Sequence, residues 1–282
     1  MATTGLSSGY PGYEIREFAF EGAQVRYHEG GKGPPILLVH GVGPGTSSGL
    51  TYRFLLEPLA KHFHVFAMDL VGFGISGRKP AEPYFDFDFW TRQVHAMIGR
   101  MPAGKVDILG HSLSGALSLR VASANPRVAS VLTTGTVGTE YRLTSHLETL
   151  WTFPGSREAL RGILGRIMHD VSQITDRMLD DRLKVLNEGD YPAYFSSMFG
   201  PDKQALMDSW VLSPEELGKV TCPVTLIHGR NDLPCPAEET TLKLAPHLPQ
   251  ADVVLLAKCS HSPAVEYPEK VLAQVVALFG KR

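Results

Sequence analysis

Three residues far apart in the chain, Ser112, Asp232 and His261, have the types that nucleophilic chemistry requires. A serine hydroxyl is a weak nucleophile at neutral pH. It needs a base within hydrogen-bond reach, and behind that base a carboxylate that holds the imidazole in one tautomer. Ser112 follows the apolar run Val106-Asp107-Ile108-Leu109, which breaks at Gly110, and precedes Ala116-Leu117-Ser118-Leu119-Arg120-Val121-Ala122, which reads as a helix. The serine therefore falls on a sharp strand-to-helix turn that aims Oγ into open space. Small residues at 110, 114 and 115 let strand and helix approach closely, although the pattern is Gly110-x-Ser112-x-Ser114 with Gly115 one place late. Asp232 lies in the turn Gly229-Arg230-Asn231-Asp232-Leu233-Pro234 after an apolar run over 224–228, and His261 lies in Lys258-Cys259-Ser260-His261-Ser262-Pro263 after another over 253–256. The other natural place for the acid, after the run 128–133, holds Gly135-Thr136-Val137-Gly138-Thr139 and offers no carboxylate before Glu140. Singly, Ser112 reads as a helix N-cap, Asp232 as a turn former and His261 as a loop histidine. Their shared position after strand-like runs favours chemistry.

Negative charge developing on a substrate oxygen needs donors. The natural sources are the N–H of Leu113, at a helix N-terminus, and that of Val42 in the loop Gly41-Val42-Gly43-Pro44-Gly45. These residues must be held by a scaffold, and the pattern supplies one. Segments 14–20 and 24–29 alternate around Glu21-Gly22-Ala23 as a hairpin. Runs 35–40 and 64–68 read as buried strands, Phe54 to His62 and Asp88 to Arg100 as helices, and Pro268 to Phe279 as a closing helix with proline in its first turn. This alternation predicts an α/β fold with a mainly parallel sheet, helices on both faces and ligands beyond the strands' carboxyl ends. From Thr139 to about Leu212 the strand-like runs stop and apolar residues recur at helical spacing, at Leu160, Ile163, Leu164 and Ile167, then Met178, Leu179, Leu183 and Leu186. The expected organisation is a first core part over 1–138, a helical insertion over 139–212 that would cover the nucleophile as a lid, and a second core part over 213–282.

With 282 residues, 43% hydrophobic and 20% charged, the composition is that of an ordinary globular protein, and a net charge of −2 argues against nucleic acid. Three cysteines without C-x-x-C spacing argue against a disulfide framework or structural zinc and fit a cytoplasmic location. No metal site and no cofactor is expected. Gly72-Phe73-Gly74-Ile75-Ser76-Gly77 satisfies G-x-G-x-x-G, but Arg78-Lys79-Pro80 and Pro83 interrupt any following helix, so a dinucleotide site is not expected there. His40, His111 and His228, at strand ends, are expected to satisfy local backbone. Residues 1 to about 12 read as a mobile tail without a signal sequence, and no run is long enough to span a membrane. The expected partner is a small-molecule substrate; the sequence leaves a homo-oligomer open.

The order Ser, Asp, His is that of the α/β-hydrolase arrangement. The chain resembles that superfamily over nearly its whole length after residue 14, through His40-Gly41, Gly72-Phe73-Gly74-x-Ser76, Gly110-x-Ser112, His228-Gly229-x-x-Asp232 and His261. Within it, His40-Gly41-Val42-Gly43-Pro44-Gly45 resembles the loop of the meta-cleavage product hydrolases, which split a C–C bond in vinylogous diketones formed by ring fission of catechols. The resemblance implies ketonisation of a dienol, attack on the keto group and loss of a carbanion equivalent. It also implies that Arg182, followed by Met198-Phe199, binds the substrate's carboxylate, and that Gly41, Gly43, Thr51, His111 and Ser262 line the substrate. The chain departs from that group at three places: His111 stands before the nucleophile in place of Asn, Thr51 in place of Asn, and Ser262 after the histidine in place of Trp. A carboxylesterase or lactonase working through an acyl-enzyme is the alternative. Gly-His-Ser-x-Ser is also similar to hydrolase-fold signalling proteins of low turnover.

Overall fold

The computed structural model describes residues 10–280. The predicted tail falls mainly outside them. Within them, Tyr10 already packs edge-on against His28 with ring centroids 5.2 Å apart, so the packed chain begins before residue 12.

The hairpin forms from β1 (Tyr13–Phe20) and β2 (Ala23–Gly30), joined by Glu21-Gly22. Both turn residues have positive φ, 44° and 82°, as a two-residue turn with the twist of its strands requires. The chain continues through β3 (Pro35–Val39), the short helices α1 (Ser48–Thr51) and α2 (Leu56–Ala60), β4 (His64–Met68), α3 (Phe87–Arg100), β5 (Val106–His111), α4 (Leu113–Ala124) and β6 (Val128–Thr134). Six α-helices and a 3₁₀ turn (Val171–Gln173) follow before the next strand: α5 (Ser145–Leu150), α6 (Arg157–Ile167), α7 (Asp176–Leu186), α8 (Tyr191–Phe199), α9 (Lys203–Asp208) and α10 (Pro214–Gly218). Then come β7 (Val224–Gly229), α11 (Thr241–Leu244), β8 (Ala251–Leu256), α12 (Pro263–Glu266) and α13 (Pro268–Phe279). The helix expected over 54–62 is shorter. Pro58 has no N–H to give and is tolerated only in a first turn, so α2 starts just before it, and Phe54 is left exposed.

The eight strands form one sheet in the order β1-β2-β4-β3-β5-β6-β7-β8, antiparallel at β1/β2 and β2/β4 and parallel from β4 to β8. Alternation along the central strands divides the core between the two faces. Leu37, Val39, Phe66, Met68 and Ile108 pack in one cluster with α3 and α4, whereas Ile36, Leu38, Val65, Ala67 and Leu109 pack in the other with α2 and α13. After β3 the chain moves outward to β4 and then returns to pair β5 on the other side of β3. The loops leaving β3 and β5 therefore diverge at the sheet's switch point, where an α/β sheet opens a crevice for ligands.

The helices α5 to α9 pack over this edge. Aromatic rings join α5 to α8 and to its surroundings: Trp151 stacks on Phe199 at 5.2 Å, meets Trp210 at 5.4 Å and meets Phe85, from the segment before α3, at 5.7 Å. Among the described residues no helix is long and apolar enough to cross a membrane. The glycines of 72–77 form turns closed by Gly72 N donating to Gly77 O, and the next helix begins only at Phe87, so the glycine pattern there has no helix N-terminus to present to a phosphate.

Candidate active site

Ser112 stands between β5 and α4 with φ 56° and ψ −122°, a backbone region that residues with a side chain rarely adopt. The strain is held from both sides. Ser112 N donates to Thr134 O of β6 at 2.9 Å, and Gly115 N donates to Ser112 O at 2.9 Å. Gly110 is required by the close approach, because a Cβ there would lie 2.3 Å from Ser114 O. Ser114, at the place where the usual pattern has glycine, uses its hydroxyl to donate to His40 O at 2.5 Å and so ties α4 to the glycine loop.

The parallel register carries Asp232 and His261 to the same edge from the ends of β7 and β8. His261 Nε2 lies 2.9 Å from Ser112 Oγ, and His261 Nδ1 lies 2.6 Å from Asp232 Oδ2. Asp232 Oδ1 accepts from Cys235 N at 2.9 Å. All three side chains are buried. Burial by itself would raise the Asp232 carboxyl, but the neighbouring His261 and the hydrogen bonds from His228 and His261 outweigh it and hold the group well below the usual carboxylate range. The arrangement can pass a proton from Ser112 to His261 while an ionised carboxylate fixes the imidazole.

Gly41, Val42, Gly43, Thr51, His111, Ser112, Arg182, His261 and Ser262 line one cleft, with about 530 Å³ of unfilled space including its mouth. Leu113 is fully buried behind Ser112, and its N–H is the first of α4, with no intrahelical acceptor. Val42 N likewise has no acceptor among the described residues. Val42 lines the same cleft as Ser112, and Leu113 directly follows Ser112 in the chain. Thr51 lies near Thr46, with hydroxyls 3.5 Å apart. His111 Nδ1 donates to Thr134 O at 2.9 Å, and burial, reinforced by His261 beside it, pushes the imidazole down to about 3, so the ring is neutral at physiological pH. Its centroid lies 5.0 Å from that of His261.

Arg182 comes from α7 and reaches the glycine loop, where its Nη1 donates to Pro44 O at 2.7 Å. Gly45, at φ 61°, permits this approach, since a Cβ there would lie 2.7 Å from Arg182 O. No carboxylate lies within 4 Å of the guanidinium among the described residues. Burial and the nearby Arg53 pull it down to about 10, still charged at neutral pH.

Two features depart from the sequence reading. His40 bonds backbone as expected, accepting from Leu70 N through Nε2 at 3.0 Å and donating from Nδ1 to Gly41 O at 2.5 Å. His228 does more, because its Nε2 lies 2.9 Å from Asp232 Oδ2; the pair spans the end of β7 and a turn, so no periodicity in the sequence signals the contact. The second is Glu266, a buried carboxylate on α12 that accepts from Ser260 N at 2.8 Å and from His169 N, beyond α6, at 2.6 Å. It joins the His261 loop to the helical segment, and no local pattern announces it. Asp232, Cys235 and His261 also bring donor atoms within 4.8 Å of one another. Burial raises the Cys235 thiol well above its ordinary value and keeps it protonated, a poor state for a cation ligand.

The profile of the alpha/beta hydrolase family matches residues 36–275. The chain belongs to this family and is an enzyme of the hydrolase class. It is 29% identical over 246 residues to a 2-hydroxy-6-oxo-2,4-heptadienoate hydrolase of Pseudomonas putida, covering 87% of this chain and 88% of that protein. A 2-hydroxymuconate semialdehyde hydrolase of Pseudomonas sp. strain CF600 is 26% identical over 261 residues, covering 92% of each. Among solved structures, a meta-cleavage product hydrolase of Pseudomonas fluorescens, in a complex with acetates, superposes with a TM-score of 0.89 at 28% identity, over 94% of this chain and 97% of that one.

Proposed function

We propose that this enzyme hydrolyses a C–C bond in a carboxylated 2-hydroxy-6-oxo-dienoate, a ring-fission product of aromatic catabolism, in the cytoplasm. The observation that carries the substrate class is Arg182, a charged guanidinium on the cleft wall, bonded to one carbonyl and paired with no carboxylate among the described residues. A cation so placed favours an anionic ligand, and a planar fork suits a carboxylate.

In this reading Arg182 anchors the carboxylate, and the keto carbon lies over Ser112 Oγ. The dienol is first ketonised, so that the carbon chain can later leave as a stabilised carbanion. His261 then takes the serine proton as Ser112 attacks the keto carbon, and the oxyanion is met by the N–H groups of Val42 and Leu113. Each such donor is worth about 3 kcal/mol of barrier. Breaking the C–C bond returns a proton to the departing carbon, and water completes the hydrolysis, leaving OH on the acyl carbon. Asp232 keeps His261 oriented throughout. Helices α5 to α9, in the segment 139–212, act as the lid that carries Arg182 and excludes bulk water.

An ester hydrolase is the second reading, favoured by Thr51, His111 and Ser262, because ester cleavage needs only serine attack and the two N–H donors. Side-by-side assays of a coloured ring-fission dienoate and p-nitrophenyl acetate separate the readings. The proposal expects kcat/KM for the dienoate to exceed that for the ester by about a hundredfold or more; an ester preference overturns it.

A further inference from the structure

Asp232 is held by more than His261 and its own loop. His228, fully buried near the end of β7, places Nε2 2.9 Å from Asp232 Oδ2 and 2.9 Å from Cys235 O. A carbonyl and an ionised carboxylate only accept, so this nitrogen carries the proton. Nδ1 is then the accepting nitrogen, and Thr241 Oγ1, buried at the start of α11, lies 2.7 Å away as its donor. The contacts therefore run Thr241 to His228 to Asp232, where they meet the chain from Ser112 through His261.

We propose that Thr241 and His228 extend the triad into a five-residue hydrogen-bond relay, in which His228 is a positioning residue that fixes the Asp232 carboxylate and shares with His261 the oxygen that orients it. Three donors then hold one carboxylate: Cys235 N on Oδ1, and His261 Nδ1 and His228 Nε2 on Oδ2. Together they remove its rotation. They also divide its electron density, so that His261 is oriented by a damped acceptor. Without the His228 donor, the carboxylate would attract the His261 proton more strongly, and His261 would become free to act as a base only at higher pH. The other titratable groups facing this cluster are His111 from β5, Tyr141 from the segment after β6, Cys235 beside Asp232, and Cys259 and Glu266 from the last loop and α12. Of these His111, whose ring centroid lies 5.0 Å from that of His261, is held neutral at physiological pH by burial.

The relay acts on any substrate that Ser112 attacks, so it is read with p-nitrophenyl acetate as well as a dienoate and stands apart from the choice of substrate. His228→Phe keeps a ring and removes the donor, whereas His228→Gln keeps an amide that can donate. The Phe variant is expected to lose about tenfold in kcat with KM within about twofold, and to move the acid limb of kcat/KM upward by about half a pH unit. Gln should recover most of both effects. Loss of activity in both variants with an unmoved acid limb overturns the proposal. Nitrogen NMR of the wild-type protein provides a measurement that needs no variant to fold. The neutral His228 ring should carry its proton on Nε2 and leave Nδ1 bare, and the opposite tautomer overturns the relay.

Discussion

The two sides of the cleft are held in different ways. On the sheet side, Ser112, Asp232 and His261 stand at the ends of parallel strands whose register fixes them, and the backbone of Ser112 is clamped by Thr134 and Gly115. On the helical side, Arg182 reaches the glycine loop through one hydrogen bond to Pro44 O, and the segment is fastened by scattered contacts such as Glu266 with His169 N and Arg78 with Asp190. A sheet ladder is cooperative and resists displacement, whereas isolated side-chain contacts can break singly. The proposed function thus assigns chemistry to the rigid side and substrate selection to the adjustable one.

That division can be broken or sharpened by substitution. The largest effect belongs to the sheet side: Ser112→Ala should lower kcat for the dienoate by roughly 10⁴-fold or more while the melting temperature holds, and a loss under tenfold would remove Ser112 from the mechanism. Arg182→Ala should instead raise KM for the dienoate by about ten- to a hundredfold and leave p-nitrophenyl acetate within about threefold. Equal losses on both substrates would mean that the helical side supports the chemistry itself. Gly45→Val strains a φ of 61° and drives a Cβ into Arg182 O, so it should reproduce part of the Arg182 effect in KM and lower the melting temperature by a few degrees; a wild-type KM would show that the two sides do not need this contact.

The smallest effect concerns stability and lies with the sheet and its immediate loops. Burial pushes His28 and His40 down to about 4, and burial with His261 pushes His111 down to about 3. Each is lowered from an unfolded value near 6.5, so the unfolded chain binds the extra protons. Asp69, which burial raises to about 7, works in the opposite sense over this range, but three imidazoles outweigh one carboxyl, so stability should fall on balance as pH drops from about 6.5 towards 4. Thermal melts over that range check this, and a flat profile would contradict it.

Much of this scaffold is legible in the residues. The hairpin, the two-sided strands and the closing helix follow from periodicities that local backbone geometry imposes, and the turn at Ser112 follows from small residues beside a strand-to-helix break. The span of α2 was not legible, because Pro58 is acceptable in a first turn and the pattern does not say which turn it occupies. Nor was the role of His228, which read as a backbone partner until the turn after β7 folded Asp232 back against it.

What the sequence by itself determined was the identity and order of Ser112, Asp232 and His261, since each is announced by the strand and turn that carry it. The tertiary structure alone decided their partners. Ser112 and His261 are 149 positions apart, Arg182 and Pro44 are 138 apart, and Glu266 and His169 are 97 apart. No local periodicity encodes such pairs, because they arise from the parallel stacking of β5, β7 and β8 and from the way α6 and α7 pack over that edge.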